Sequence, residues 1–163
     1  ILVDPIFIRK TIKQFLATKK DYLASNTLNH TKNWKKKSEY NEGNSLEILN
    51  FRLLQRVQKF VNIKNYEYPT WKIFSNPKKF KIDKIKLISE YKGYNIKKFR
   101  TTLDTKEDLK FLQTICKRLN LTPGRNNFLK LIKKNKIIEP FLKINKKVKK
   151  KLAYEVINRN KYI

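Results

Sequence analysis

The chain has 163 residues, 40% hydrophobic and 12% aromatic, enough apolar material for one packed domain and too much for a disordered polycation. Forty Lys and Arg against 13 Asp and Glu give a formal net charge of +27, which raises nucleic acid or another anionic surface as a partner. Three glycines exclude a Gly-rich phosphate loop, one cysteine excludes an internal disulfide, and no apolar run approaches the ~20 residues of a membrane helix.

Along the chain, Asp4 and Pro5 read as the N-cap and first position of a helix, with Ile8, Ile12, Phe15 and Leu16 as its apolar face. Residues 22–26 read as a short strand and 27–43 as a long polar loop. A second strand is expected at 45–50. Asn50 then caps a helix over 51–61, with Leu53, Leu54, Val57 and Val61 as its stripe. The segment 66–80 holds a short helix closed at Asn76 and Pro77, and 81–89 reads as a strand. Another strand is expected at 99–103, followed by Thr105 as the cap of a strong helix over 106–119. Glu107 and Asp108 fall in its first turn, and Leu109, Leu112, Ile115, Cys116 and Leu119 form the expected core face. Beyond residue 120 the texture turns basic and helical. Asn127 can cap a short helix there, and a very basic amphipathic helix is expected from residue 145. The alternation of strands and helices predicts α/β layering, with 1–120 as the main domain and 121–163 as a C-terminal helical extension.

The kind of charge matters as much as its amount. Of the cations, 33 are Lys and only 7 are Arg, beside 17 Asn. Readers of phosphate and base edges favour the planar fork of Arg, whereas Lys, Ile and Asn share A/T-rich codons. Compositional drift and a polyanionic partner therefore both remain open. There is no Met, and the first residue is Ile1, so the chain is expected to be a portion of a longer protein. Cys116 and the single His30 carry no recognisable catalytic pattern and read as a packing residue and a loop residue. The runs at 35–37 and 146–151 read as solvated faces. Asp104 stands where a strand meets a helix, a place where α/β sheets bind ligands. It can hold Mg²⁺ beside nucleotide phosphates or simply cap the helix. Glu47, between two apolar neighbours, faces either solvent or a ligand.

Taken together, several segments resemble the cytidylyltransferases of the spore-coat-polysaccharide, acylneuraminate and 3-deoxy-manno-octulosonate types. FRTTLDTKEDL at 99–109 is similar to that family's R-x-T-x-D-T-P-E-D-L. LVDP at 2–5, DYLASN at 21–26 and GNSLE at 43–47 with Phe51 resemble further segments, in the same order. So do Glu67, Thr70, Ile73, Asn76, Pro77 and Phe80, and the stretch 128–145. The resemblance implies part of a nucleotide-diphospho-sugar transferase-like sheet with flanking helices. It implies transfer of CMP from CTP to a sugar or sugar acid for surface polysaccharide synthesis, by a cytoplasmic homodimer that binds neither membrane nor nucleic acid. It places an Mg²⁺ ligand on Asp104 and puts Glu47, Glu67 and Asn26 on the sugar side. The family's nucleotide-binding loop and its partner metal carboxylate would lie upstream of Ile1, so the chain alone is expected to be inactive. Lys106 stands where the family has Pro, and Asn44 and Ser45 stand where it has Leu and Asp. Thr102 stands where the acylneuraminate type is acidic, which favours the other two types. The alternative reading is a basic nucleic-acid-binding or ribosome-associated protein, using Lys with interleaved Tyr, Phe and Trp.

Overall fold

The computed structural model describes residues 2–25, 39–41, 43–59, 70–74, 76, 78–134 and 136. They fall into two compact units, one of residues 1–5, 41–44 and 89–163, the other of residues 6–40 and 45–88. The expected loop over 27–43 lies mostly outside the described residues, as do the helix expected from 145, Asn26 and Glu67.

The second unit is built on a three-stranded sheet, β1 (Tyr22–Ala24), β2 (Glu47–Leu49) and β3 (Ile82–Lys84), in the order β2-β1-β3. β1 is antiparallel to β2, with Tyr22 opposite Leu49 and Ala24 opposite Glu47. It is parallel to β3, with Tyr22 opposite Ile82. All three residues of the central strand are fully buried. A strand covered on both faces has no polar side to show, which is why Tyr-Leu-Ala carries no alternation. The ladder runs past the strand ends. Ser25 N–H donates to Leu46 O (3.0 Å), Leu46 N–H to Ser25 Oγ (2.7 Å), and Ile85 N–H to Ala24 O (2.9 Å).

Among the described residues, α1 (Pro5–Leu16) is accompanied by α2 (Phe51–Gln58), α3 (Trp71–Phe74), α4 (Lys106–Leu119) and α5 (Asn127–Lys133), with 3₁₀ turns at Ser89–Tyr91 and Ile96–Lys98. Asn50 caps α2 as expected, its Oδ1 accepting from Arg52 N–H at 2.9 Å. Leu53 and Val57 of α2 join Tyr22, Ala24, Ile73 and Ile82 in one core cluster, with Leu49 and Phe80 packed against it. Tyr40 stacks on Phe7 at 4.6 Å between ring centroids. Its hydroxyl donates to Lys86 O (2.9 Å) and accepts from Ile88 N–H (3.2 Å). Burial holds that phenol in its neutral form and raises its pKa.

In the first unit Tyr91 and Phe99 meet Phe128 edge-on, at 5.4 and 6.2 Å between centroids. Asp4 supplies the start of α5, where Asn127 was expected to act. Its Oδ1 accepts from Phe128 N–H and its Oδ2 from Leu129 N–H and the Tyr91 hydroxyl, each at 2.7 Å. Asn127 instead donates from Nδ2 to Thr122 O (2.7 Å). Burial raises the Asp4 pKa, and the three donors hold that rise back.

Three expectations need correction. The α1 face of Ile8, Ile12 and Leu16 is exposed, while Phe7 and Thr11 are buried. On α4 the buried residues are Asp108, Phe111, Ile115 and Leu119, with Leu109 exposed. The segment 99–103 is not a strand but an extended stretch with a single bridge residue at Arg100. Phe99, Arg100 and Thr101 are buried in succession. The Arg100 side chain reaches α4, and the Thr101 hydroxyl accepts from Asn41 in the loop. The loop side depends on Gly43, at φ +88°, where a Cβ would stand 2.3 Å from Thr101 C and Thr102 N. Only glycine fits that conformation and that approach.

Candidate functional site

The segment after Phe99 turns a charged side chain onto the first turn of α4. Thr105 caps the helix, its Oγ1 accepting from Asp108 N–H (3.1 Å). The Asp108 carboxylate closes the capping box by accepting from Thr105 N–H (3.1 Å). Asp108 Oδ2 also accepts from Asp104 N–H at 3.1 Å. The buried Arg100 guanidinium donates to the same carboxylate, Nε to Oδ1 at 3.3 Å and Nη2 to Oδ2 at 3.4 Å. Asp108 is 1% exposed, so its charge is consumed by one guanidinium and two backbone donors.

Asp104 differs. Its side chain is 54% exposed and is tied to the structure by one ion pair, from Arg100 Nη2 to Oδ2. Its Oδ1 accepts no hydrogen bond among the described residues. Asp104 can therefore offer one oxygen to a cation while Arg100 fixes the other. No group of three or more His, Cys, Asp and Glu side chains that could hold a metal occurs among the described residues. The donor set described here for a cation is therefore one exposed carboxylate oxygen, with a guanidinium on the other.

Glu47 lies on the edge strand β2, opposite Ala24 and half-buried. It accepts no hydrogen bond among the described residues. Asp104 belongs to the first unit and Glu47 to the second. Asn26 and Glu67 lie outside the described residues. Cys116 is a free, partly buried thiol on α4. From sequence alone Arg100 is one residue of the 99–109 segment and carries no role of its own. The signal was present as a cation followed by carboxylates four and eight residues later, the spacing that lets one guanidinium reach both once the chain turns into α4.

Asn41 and Thr101 join the loop to this corner, Asn41 Nδ2 donating to Thr101 Oγ1 at 3.1 Å. Next to them the Asn44 amide is fully buried, with neither Oδ1 nor Nδ2 hydrogen-bonded among the described residues, and Thr102 Oγ1 likewise has no partner among them. Groups buried in this way destabilise the fold unless water or a ligand reaches them.

No protein-family model matches the chain, and no curated protein matches it. Among solved structures it is similar to a cytidylyltransferase from Leptospira borgpetersenii serovar Hardjo-bovis. The TM-score is 0.63 and the identity 22%, over 84% of this chain and 53% of that one. The chain thus spans about half the length of that protein. The mixed α/β fold, with a small sheet and flanking helices, is the one this chain shares with a cytidylyltransferase.

Proposed function

We propose that the chain is the sugar-side, C-terminal portion of a nucleotidyltransferase that moves CMP from CTP to a sugar or sugar acid for surface polysaccharide synthesis. The observation supporting this most strongly is the 99–109 segment. Its Arg100, Asp104, Thr105 and Asp108 form one hydrogen-bonded corner at the head of α4, in a chain sharing a cytidylyltransferase fold. In this reading Asp104 would hold Mg²⁺, which would neutralise charge on the phosphate oxygens. Arg100 positions that carboxylate, and Asp108 holds Arg100 in place while capping α4. By the resemblance, Glu47, Glu67 and Asn26 are assigned to sugar binding. By the resemblance, the full-length protein is a cytoplasmic homodimer.

Pyrophosphate release is the test, using the full-length protein of the gene with CTP, Mg²⁺ and a panel of sugars and sugar acids. Release that depends on all three components, and is lost in Asp104→Ala with the fold retained, is the expected result. The 163-residue chain alone is expected to be silent. Turnover by it, or full activity in Asp104→Ala, would overturn the assignment of the metal and nucleotide groups.

A further inference from the structure

The second unit contains a groove of about 370 Å³ lined by Arg56 and Val57 of α2, Lys72 of α3, and Asn76, Lys79 and Phe80 of the turn that follows. Its apolar part is firm, because Val57 is 2% exposed and Phe80 packs against the core cluster. The turn is firm as well. Asn76 Nδ2 donates to Lys72 O (3.0 Å), Asn76 N–H to Ile73 O (3.3 Å), and Lys79 N–H to Asn76 O (2.9 Å). Three cations therefore line one concavity.

Those cations have no anionic partner among the described residues. The ion pairs described in this unit lie elsewhere, Lys20 with Asp83 at 3.9 Å and Lys84 with Glu39 at 3.8 Å. In a chain of net charge +27, scattered lysines are an ordinary solvated surface. Three like charges around one groove with an apolar floor are a different arrangement. They repel one another there, and an anion of two or three charges relieves that repulsion. Arg56 supplies a two-pronged donor for phosphate oxygens, and the lysines supply point charges. The groove volume is near the lower end of small-molecule sites, roughly 300–1,000 Å³. Among the described lining residues Phe80 is the aromatic one, a single flat surface against which one ring can rest.

We propose that this groove binds a small ligand carrying a diphosphate or triphosphate and one flat ring. The phosphates lie among Arg56, Lys72 and Lys79, and the ring rests against Phe80. The site lies on residues distinct from the Asp104 corner and does not depend on the proposed activity.

The test is calorimetric titration of the 163-residue chain at 0.15 M salt with CDP, ADP, inorganic pyrophosphate and cytidine. One site per chain is expected for the two nucleotides, weaker binding for pyrophosphate, and none for cytidine. The triple variant Arg56→Gln/Lys72→Gln/Lys79→Gln is expected to lose at least about tenfold in nucleotide affinity. Lys92→Gln/Lys97→Gln/Lys110→Gln removes the same charge from exposed positions of the other unit and is expected to bind like the parent. Asp104→Asn is also expected to bind like the parent, which separates this site from the corner. Arg56→Lys keeps the charge and loses the fork, and is expected to weaken binding about threefold. Equal losses in the two triple variants would overturn the proposal in favour of a diffuse field. So would absence of nucleotide binding, or a single-stranded RNA that outcompetes CDP and is itself lost in the groove variant.

Discussion

Two charged regions of the molecule handle their charge in opposite ways. At the head of α4, Arg100 and Asp108 are buried together, and both carboxylate oxygens of Asp108 are engaged. In the groove of the second unit, Arg56, Lys72 and Lys79 share a concavity with no carboxylate among its described lining residues. Charge in the first region is spent on the fold. In the second it is left for something outside the chain. Asp104 stands between the two cases, held by Arg100 through one oxygen and open through the other. The contrast shows why a net charge of +27 says little until each charge has been matched with its partner.

Breaking the corner should have the largest effect. Arg100→Met strands the buried Asp108 charge and is expected to destabilise the chain by about 3–5 kcal/mol, read by urea denaturation. A loss below about 1 kcal/mol would mean that the pair is not buried in solution.

Asp4 comes next, since Asp4→Ala removes the acceptor for three donors at 2.7 Å. A loss of about 2–4 kcal/mol is expected. Its titration gives a sign as well. Burial raises the folded pKa above the ordinary 3.8, so the folded state binds this proton more tightly than the unfolded state does. The contribution is fully present below about 3.8 and is lost as pH rises through the folded value. Relative to Asp4→Asn, the parent is therefore expected to lose stability across that rise; a gain would reverse the assignment.

Thr105→Ala tests the cap alone and is expected to cost about 1 kcal/mol. The smallest effect is expected on the exposed face of α1. Ile12→Ser, at a position 42% exposed, should change stability by no more than about 0.5 kcal/mol. A larger loss would show that this face is covered in solution.

The two longest helices show what could be read beforehand. The ends of α4 follow from Thr105, the acids of its first turn, and Asn120, which closes it at φ 47°. These signals are local and need no tertiary information. The faces are another matter. On α1 the periodic set Ile8, Ile12 and Leu16 competes with Phe7, and the fold buries Phe7 beside a hydroxyl, Thr11. On α4 it buries Asp108, which no hydrophobic pattern selects, because Arg100 arrives from outside the helix to neutralise it. The candidate site divides along the same line. Asp104 was legible from its place before a capped helix. The Arg100 that holds it was not, because the pairing appears only when the extended segment folds onto α4. The groove gave less warning still, since Arg56, Lys72 and Lys79 lie on separate elements among many other cations.

The most direct test of the central claim, that the fold consumes one carboxylate of the corner and leaves the other available, is a pair of denaturation curves. Asp108→Asn and Asp104→Asn remove the same charge four residues apart. The account predicts a loss of about 3 kcal/mol or more for Asp108→Asn, where Arg100 is left buried without its main partner. It predicts under about 1 kcal/mol for Asp104→Asn, whose ion pair is half-exposed and screened by solvent. Equal losses, or a larger one for Asp104→Asn, would contradict it.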